Sequence, residues 1–252
     1  SPEQERAPAD SPLSARCGWC RVTRLPRWIW VGTWLLAFVA GMVNVVGFLS
    51  ISQQAVTHLT GTTSLLAIAV IEHDVHLITL LGAILLAFFL GSLISGLIIR
   101  DKVLRLGRRY GAVLMLESLI LVVATALLHR HHMAGLWLAA AACGLQNGMA
   151  TTYSKAVVRT THLSGMFTDL GIFLGQAMRG VAVEPRRLIL CLTVISAFFC
   201  GGLAGALSFR QLGYDTLLIP ALLTGLTGMG YLLLRWQSVK KRPQPKQQNQ
   251  AN

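Results

Sequence analysis

The apolar residues of this chain lie in long runs, not in amphipathic stripes. Six stretches, residues 28–50, 77–99, 111–128, 133–153, 188–209 and 216–234, are long enough to cross a bilayer, whose hydrocarbon core is roughly 30 Å thick at about 1.5 Å of helix per residue. Two further stretches, 59–71 and 163–178, are shorter; a helix as short as the first reaches only about 20 Å. Charged residues make up 13% of the chain, against about 25% in soluble domains. A chain this apolar must satisfy its backbone internally, and helices do so within one segment. The runs therefore predict an all-α integral membrane protein.

The second constraint is a phrase that occurs twice. Thr57-His58-Leu59-Thr60-Gly61 returns 104 residues later as Thr161-His162-Leu163-Ser164-Gly165. Gly41-Met42-Val43-Asn44 precedes the first copy and Gly144-Leu145-Gln146-Asn147 the second. Phe88-Phe89-Leu90-Gly91 follows the first and Phe198-Phe199-Cys200-Gly201 the second. Such a period in an apolar chain predicts two related halves, which in many transporters meet at the substrate site.

Charge placement orders the spans. The net charge of +12 sits in the loops and tails between runs, where it reads as a topology signal and not as a nucleic-acid surface. With the N-terminus cytoplasmic and six runs crossing, the inside segments hold 20 Lys and Arg, and only Arg130 and Arg210 remain outside. With all eight runs crossing, the counts become 14 and 8. The six-span layout is the one expected. Each half then has three spans and one short re-entrant helix, and because three is odd the halves are inverted with respect to each other. The first short segment enters from outside and the second from the cytoplasm.

The expected organisation is thus six spanning helices plus two short re-entrant helices in two inverted repeats. Residues 28–235 form the membrane domain, with repeat one at 28–128 and repeat two at 133–235. The arm 1–27 and the tail 236–252 are polar and basic, and are expected to be disordered and cytoplasmic. The arm lacks the apolar core of a signal peptide, although the chain does not begin with Met, which is compatible with a trimmed start. Cys17 and Cys20 form a single CxxC pair, a weak redox or metal signal set against an inert pair near the membrane. Cys143, Cys191 and Cys200 lie in apolar runs and read as packing residues.

The repeated phrase is where chemistry is expected. In each half a polar stretch leads into a short helix, with Thr60 and Ser164 suited to N-cap it and Gly61 and Gly165 suited to close backbone approach. Two such helix starts, facing each other at mid-depth, present unpaired N–H groups and positive dipole ends to an anion. His58 and His162 either satisfy local backbone at the break or meet the solute and its protons. Asn44, Gln146 and Asn147 are either interhelical glue or lining of the central site. Two acids fall within apolar runs, and carboxylates there are costly. Asp169 is a candidate for proton coupling or substrate contact. Glu117 is either functional or simply reaches the cytoplasmic interface. The candidate substrate-binding set is therefore Thr60, Gly61, Ser164, Gly165, His58, His162, Asn44, Asn147 and Asp169.

Other patterns have blander readings. The spacings Gly144–Gly148, Gly171–Gly175, Gly201–Gly205, Gly91–Ser95 and Ser92–Gly96 predict close helix packing. His73, Asp74, His76, His129, His131 and His132 gather on the expected outer face, as solvated loop residues or as a Zn or Cu site. No cofactor and no resident metal is expected.

The stretches AGMVNVVGFLSI…AVTHLTGT and CGLQNGMATTYSK…TTHLSGMFTDLGIFLG resemble the two hallmark stretches of the YoaK family, also called DUF1275. The resemblance runs from about residue 28 to 235. It implies a bacterial multi-pass protein of the inner membrane. Where the family usually has Asp, this chain has Asn44, and where the family has Asn after Thr-Gly, it has Thr62; no cation or proton role is carried over to the first half. The resemblance supplies no activity.

The function expected on physical grounds is a secondary transporter or permease for a small, anionic solute. The alternative is a non-transporting membrane protein, an assembly factor or sensor whose polar breaks stabilise the fold. An enzyme is not expected, because no Ser-Lys, HExxH or paired-aspartate arrangement is present, and no P-loop supports ATP-driven transport. The expected partners are the solute and the lipid bilayer, not nucleic acid; a homo-oligomer is left open.

Overall fold

A computed structural model describes residues 27–50, 54–99, 108–153 and 159–240. These contain eight helices: α1 (Arg27–Leu49), α2 (Leu59–Ile71), α3 (Val75–Ile98), α4 (Arg108–His129), α5 (Ala134–Tyr153), α6 (Leu163–Met178), α7 (Pro185–Leu212) and α8 (Leu218–Lys240). A 3-10 turn, Gly213–Leu217, joins the last two, and the described residues contain no strand. Every apolar run is a helix, and the two short runs match α2 and α6 to the residue. Asp74 caps α3 by accepting from the Leu77 N–H at 2.9 Å, and Pro185 opens α7 in its first turn, where its missing N–H costs nothing. Helix α8 continues to Lys240, into the stretch expected as tail. The rest of the tail, the arm, and Cys17 and Cys20 lie outside the described residues.

Four segments are long and apolar enough to cross a membrane: Trp30–Leu49, Val75–Ile98, Arg109–His129 and Pro185–Leu233, the last spanning α7, the 3-10 turn and α8. Helix α5 is 20 residues long but carries Gln146 and Asn147, which lower its hydropathy. Apolar side chains such as Leu86, Phe89, Leu93 and Leu97 line the outside of α3. An outward-facing apolar helix surface is what hydrocarbon, not water, accommodates.

The halves are joined by exchanging partners. Helix α1 of the first half packs on α7 of the second, and α5 of the second packs on α3 of the first. The contacts correspond residue by residue. A Cβ placed on Gly41 would strike the Phe198 carbonyl, and one on Gly144 would strike the Phe88 carbonyl. On the facing helices, Gly201 abuts the Phe38 carbonyl and Gly91 the Ala141 carbonyl. At these four positions backbone meets backbone, which only glycine permits. Helices α4 and α8 pair with each other: a Cβ on Gly111 or Gly228 would lie 2.9 Å from the other's carbonyl oxygen, and the Ser118 hydroxyl donates to the Ala221 carbonyl at 2.7 Å.

The chain turns back on itself after α1. Gln54 and Val56 lie against Gly47, and Thr57 is bonded to Asn44. Since Asn44 is five residues before the end of α1, α2 starts about 7–8 Å short of that end. It then runs antiparallel to α3, joined to it by the turn at 72–74.

Not every small-residue spacing is used. Gly171, Gly175 and Gly96 have nothing within 4 Å of an added Cβ, so the expectation that they pack helices closely is corrected. Residues 171 and 175 lie away from Met166, Leu170 and Phe173, which form the face of α6 set against α7.

A glycine series therefore separates two classes. Gly41→Ala and Gly201→Ala should each lower stability by about 1–3 kcal/mol, as overpacked sites do. Gly171→Ala should be neutral, or stabilising by up to about 1 kcal/mol from helix propensity. Thermal unfolding in detergent reads both; equal behaviour of Gly201→Ala and Gly171→Ala would contradict the close-packed seam.

Candidate functional site

The starts of α2 and α6 share a backbone conformation. Their N-caps are His58, at φ −90° and ψ 63°, and His162, at φ −94° and ψ 61°. Neither imidazole makes a capping hydrogen bond. This corrects the expectation that Thr60 and Ser164 are the caps: each is the second residue of its helix. The first N–H to close inside α2 is that of Thr62, onto the His58 carbonyl at 3.0 Å; in α6 it is that of Met166, onto the His162 carbonyl at 3.3 Å. Among the described residues, the three preceding N–H groups of each helix therefore stay open, as helix starts leave them.

Gly61 and Gly165 have a specific task. A Cβ on either would run into the ring of the histidine three residues before it, His58 or His162. The glycine makes room for the imidazole to fold back over the first turn. The ring, not the glycine, faces the open space.

That space is a single cavity of about 560 Å³. From the first half it is lined by Asn44, Phe48, Thr57, His58, Leu59, Thr60 and Phe88; from the second half by Asn147, Arg159, Thr161, His162, Leu163, Ser164 and Phe198. Both copies of the repeated phrase meet there. Of the nine sequence candidates, Asn44, His58, Thr60, Asn147, His162 and Ser164 line it. Gly61 and Gly165 sit behind their histidines. Asp169 is not part of the lining: five residues after Ser164, it points about 140° around the helix from it. It is half-buried, within electrostatic reach of Cys191 on α7.

Sequence reasoning missed five contributors. Phe88 and Phe198 were visible only as repeat markers; each turns its carbonyl to a glycine and its residue to the cavity. Thr57 and Thr161 were part of the phrase but unassigned. Arg159 had the clearest signal: a cation three residues before His162, where the first half has Ala55. It is exposed to the cavity and, among the described residues, brings a full positive charge to the lining.

The two halves differ at one hinge of the site. Asn44 Oδ1 accepts from the Thr57 N–H at 3.1 Å and from the Thr57 hydroxyl at 2.8 Å, all buried. Asn147 Oδ1, at the matching place, is buried without a partner among the described residues, and no bond joins it to Thr161. The first half is latched; the second is not. No group of three or more metal-ligating side chains comes together among the described residues.

Residues 32–230 match the family described as "Protein of unknown function (DUF1275)". The chain belongs to the DUF1275 family. No curated protein and no solved structure matches it. For this DUF1275 chain, the site is therefore read from its own geometry.

The latch gives a measurable asymmetry. Asn44→Ala should cost about 1–3 kcal/mol, because it strands the Thr57 N–H in a buried place. Asn147→Ala should cost less than about 0.5 kcal/mol, because no bond is lost. Chemical or thermal unfolding of the two variants checks this, and equal losses would refute the difference between halves.

Proposed function

We propose that this DUF1275 protein is a secondary carrier for a small anionic solute, held in the cavity between the two repeated turns. The observation that carries the reading is that both copies of the phrase line one cavity. Each turn presents open N–H groups and the positive end of a helix dipole, which stabilise negative charge. Arg159 adds a full charge and a planar fork suited to a carboxylate or phosphate. Thr60, Ser164, His58 and His162 supply polar contacts around it.

The membrane layout belongs to the same proposal. Six helices cross, α2 and α6 are re-entrant, the halves are inverted and both termini are cytoplasmic, in a bacterial inner membrane. The return of the chain along α1 to Asn44 supports an α2 that begins at depth. The distribution of Lys and Arg supports the orientation. The latch on one half and not the other supports a carrier resting in one of two alternative states. In the second state Asn147 would bind Thr161 and Asn44 would release Thr57. The reading is of a carrier and not of an enzyme.

Two experiments test it. Cysteines introduced singly as Arg105→Cys, His131→Cys and Lys240→Cys in a cysteine-free background report the layout. Position 131 should label only from outside, and 105 and 240 only from inside. Outside labelling of 105 would overturn the six-span arrangement. The solute is sought by thermal stabilisation of the purified protein with a panel of small carboxylates, phosphate and sulfate, followed by flux in proteoliposomes. For an anion that binds, Arg159→Gln should weaken affinity about 10-fold or more, the scale of a lost charge-assisted hydrogen bond. Ser164→Ala should weaken it only a few-fold, since the backbone N–H groups remain. Gly165→Leu should abolish binding, because it displaces the His162 ring into the site. Absence of both stabilisation and flux across the panel would favour the non-transporting reading.

A further inference from the structure

Glu117 is enclosed by protein. It lies in the middle of α4 and is 1% exposed. Helices α4 and α5 run antiparallel from the turn at 130–133; Gly135 packs on Leu128, and Leu114 clusters with Met149. That register sets Glu117 level with Gln146, which is 0% exposed. Three polar atoms at this level, Glu117 Oε2 and both Gln146 amide atoms, have no hydrogen-bond partner among the described residues. Buried polar atoms in native proteins are almost always paired, so three together call for a partner such as a proton, an ion or water.

Among the described residues of the helices around it, no cation lies level with Glu117. From Trp30 to Leu49 in α1, from Ala134 to Thr152 in α5 and from Leu218 to Leu233 in α8, there is no Lys, Arg, His, Asp or Glu. Within α3 the sole charged or titratable side chain is His76, at its start. The titratable groups facing this level are the Cys143 thiol of α5, within electrostatic reach, and, lower down, Tyr110 of α4 and Tyr231 of α8. Those two tyrosines line a crevice of about 50 Å³ with Thr33, Thr224, Leu114 and Met149. Its lining is mostly apolar, with hydroxyls only from the two tyrosines, Thr33, Thr224 and Thr227 to hold water, and it has room for a few molecules. On α4 it is lined by Tyr110 and Leu114, the latter one turn before Glu117. On the other side Gln146 is followed by Asn147, which lines the solute cavity.

We propose that Glu117, level with Gln146 between the crevice and the cavity, is a proton-binding site whose occupancy is passed to the solute cavity through Gln146. The carboxylate takes up a proton from crevice water and returns it there; no other bond is made or broken. In the structure the two side chains are not bonded to each other; in the proposed protonated state the neutral acid donates to Gln146 Oε1. The ionised form instead accepts from Gln146 Nε2, so the amide must turn over when the proton leaves. That rotation occurs on the helix position beside Asn147. What the proton is coupled to rests on the carrier reading; the site itself does not.

The test needs no solute. Infrared difference spectra of the full chain in phosphatidylethanolamine–phosphatidylglycerol liposomes are recorded in H₂O and D₂O across a pH series. A carboxylic-acid carbonyl band is expected that shifts in D₂O, diminishes as pH rises and is lost entirely in Glu117→Gln. Gln146→Leu should move the band by removing its acceptor, and this variant reads the pairing even if Glu117→Gln fails to fold. Absence of the band, or a band that neither exchanges nor titrates while the protein stays folded, would make Glu117 a sealed structural acid and overturn the proposal. So would a band that responds to sodium and not to pH, or one that Gln146→Leu leaves unmoved. A wild-type band with this behaviour, alongside a failed solute screen, would leave the proton site standing and remove the carrier.

Discussion

The two halves of this protein meet backbone to backbone. At Gly41, Gly91, Gly144 and Gly201 one helix rests its Cα directly on a carbonyl of another. Inside a bilayer the hydrophobic effect does not press helices together, so such intimate packing takes its place. The rest of the site follows from these four contacts. They tie each half to the other through exchanged partners, and they fix Phe88 and Phe198 at the cavity. They also hold Asn44 and Asn147 three residues beyond a close-packed glycine, where each can reach the repeated turn. Without that seam the two turns would belong to separate halves.

The seam also explains why the site is polar at all. Non-helical backbone is tolerated at membrane depth only where protein or a water-filled cavity surrounds it. In the proposed re-entrant layout, the non-helical stretches that lead into α2 and α6 provide each other with that surrounding. Their histidine N-caps fold over Gly61 and Gly165 and leave the first N–H groups open. A helix start left open in this way has a standing requirement for a partner, which an anion or water fulfils. Arg159, present in one half only, makes the cavity asymmetric in charge, and the Asn44–Thr57 latch makes it asymmetric in tightness.

Much of this was legible in the sequence, and the failures have physical causes. The runs at 59–71 and 163–178 became α2 and α6 without a shift, because apolar length in a membrane chain leaves few alternatives. The meeting of the two phrases followed from the repeat. The caps were misassigned because Thr and Ser are the strong cap formers in water, whereas here histidine occupies the position without capping. Asp169 was placed by depth along the chain, which ignores the turn of the helix and sends its side chain to α7. Gly171 and Gly175 show that a spacing does not say which face has a neighbour. Glu117 was read from its distance to the end of its run, while burial depends on what α4 and α5 enclose, and that pairing is tertiary.

The central claim is that Thr60 and Ser164 face each other across one cavity. Paired substitutions Thr60→Cys and Ser164→Cys in a cysteine-free chain, treated with a short bis-maleimide in intact membranes, test it most directly. The account predicts an intramolecular cross-link for this pair and none for Thr60→Cys with Gly171→Cys, which lies on an open face of α6. Failure of the 60–164 pair to cross-link in folded protein, or equal cross-linking of both pairs, would contradict it.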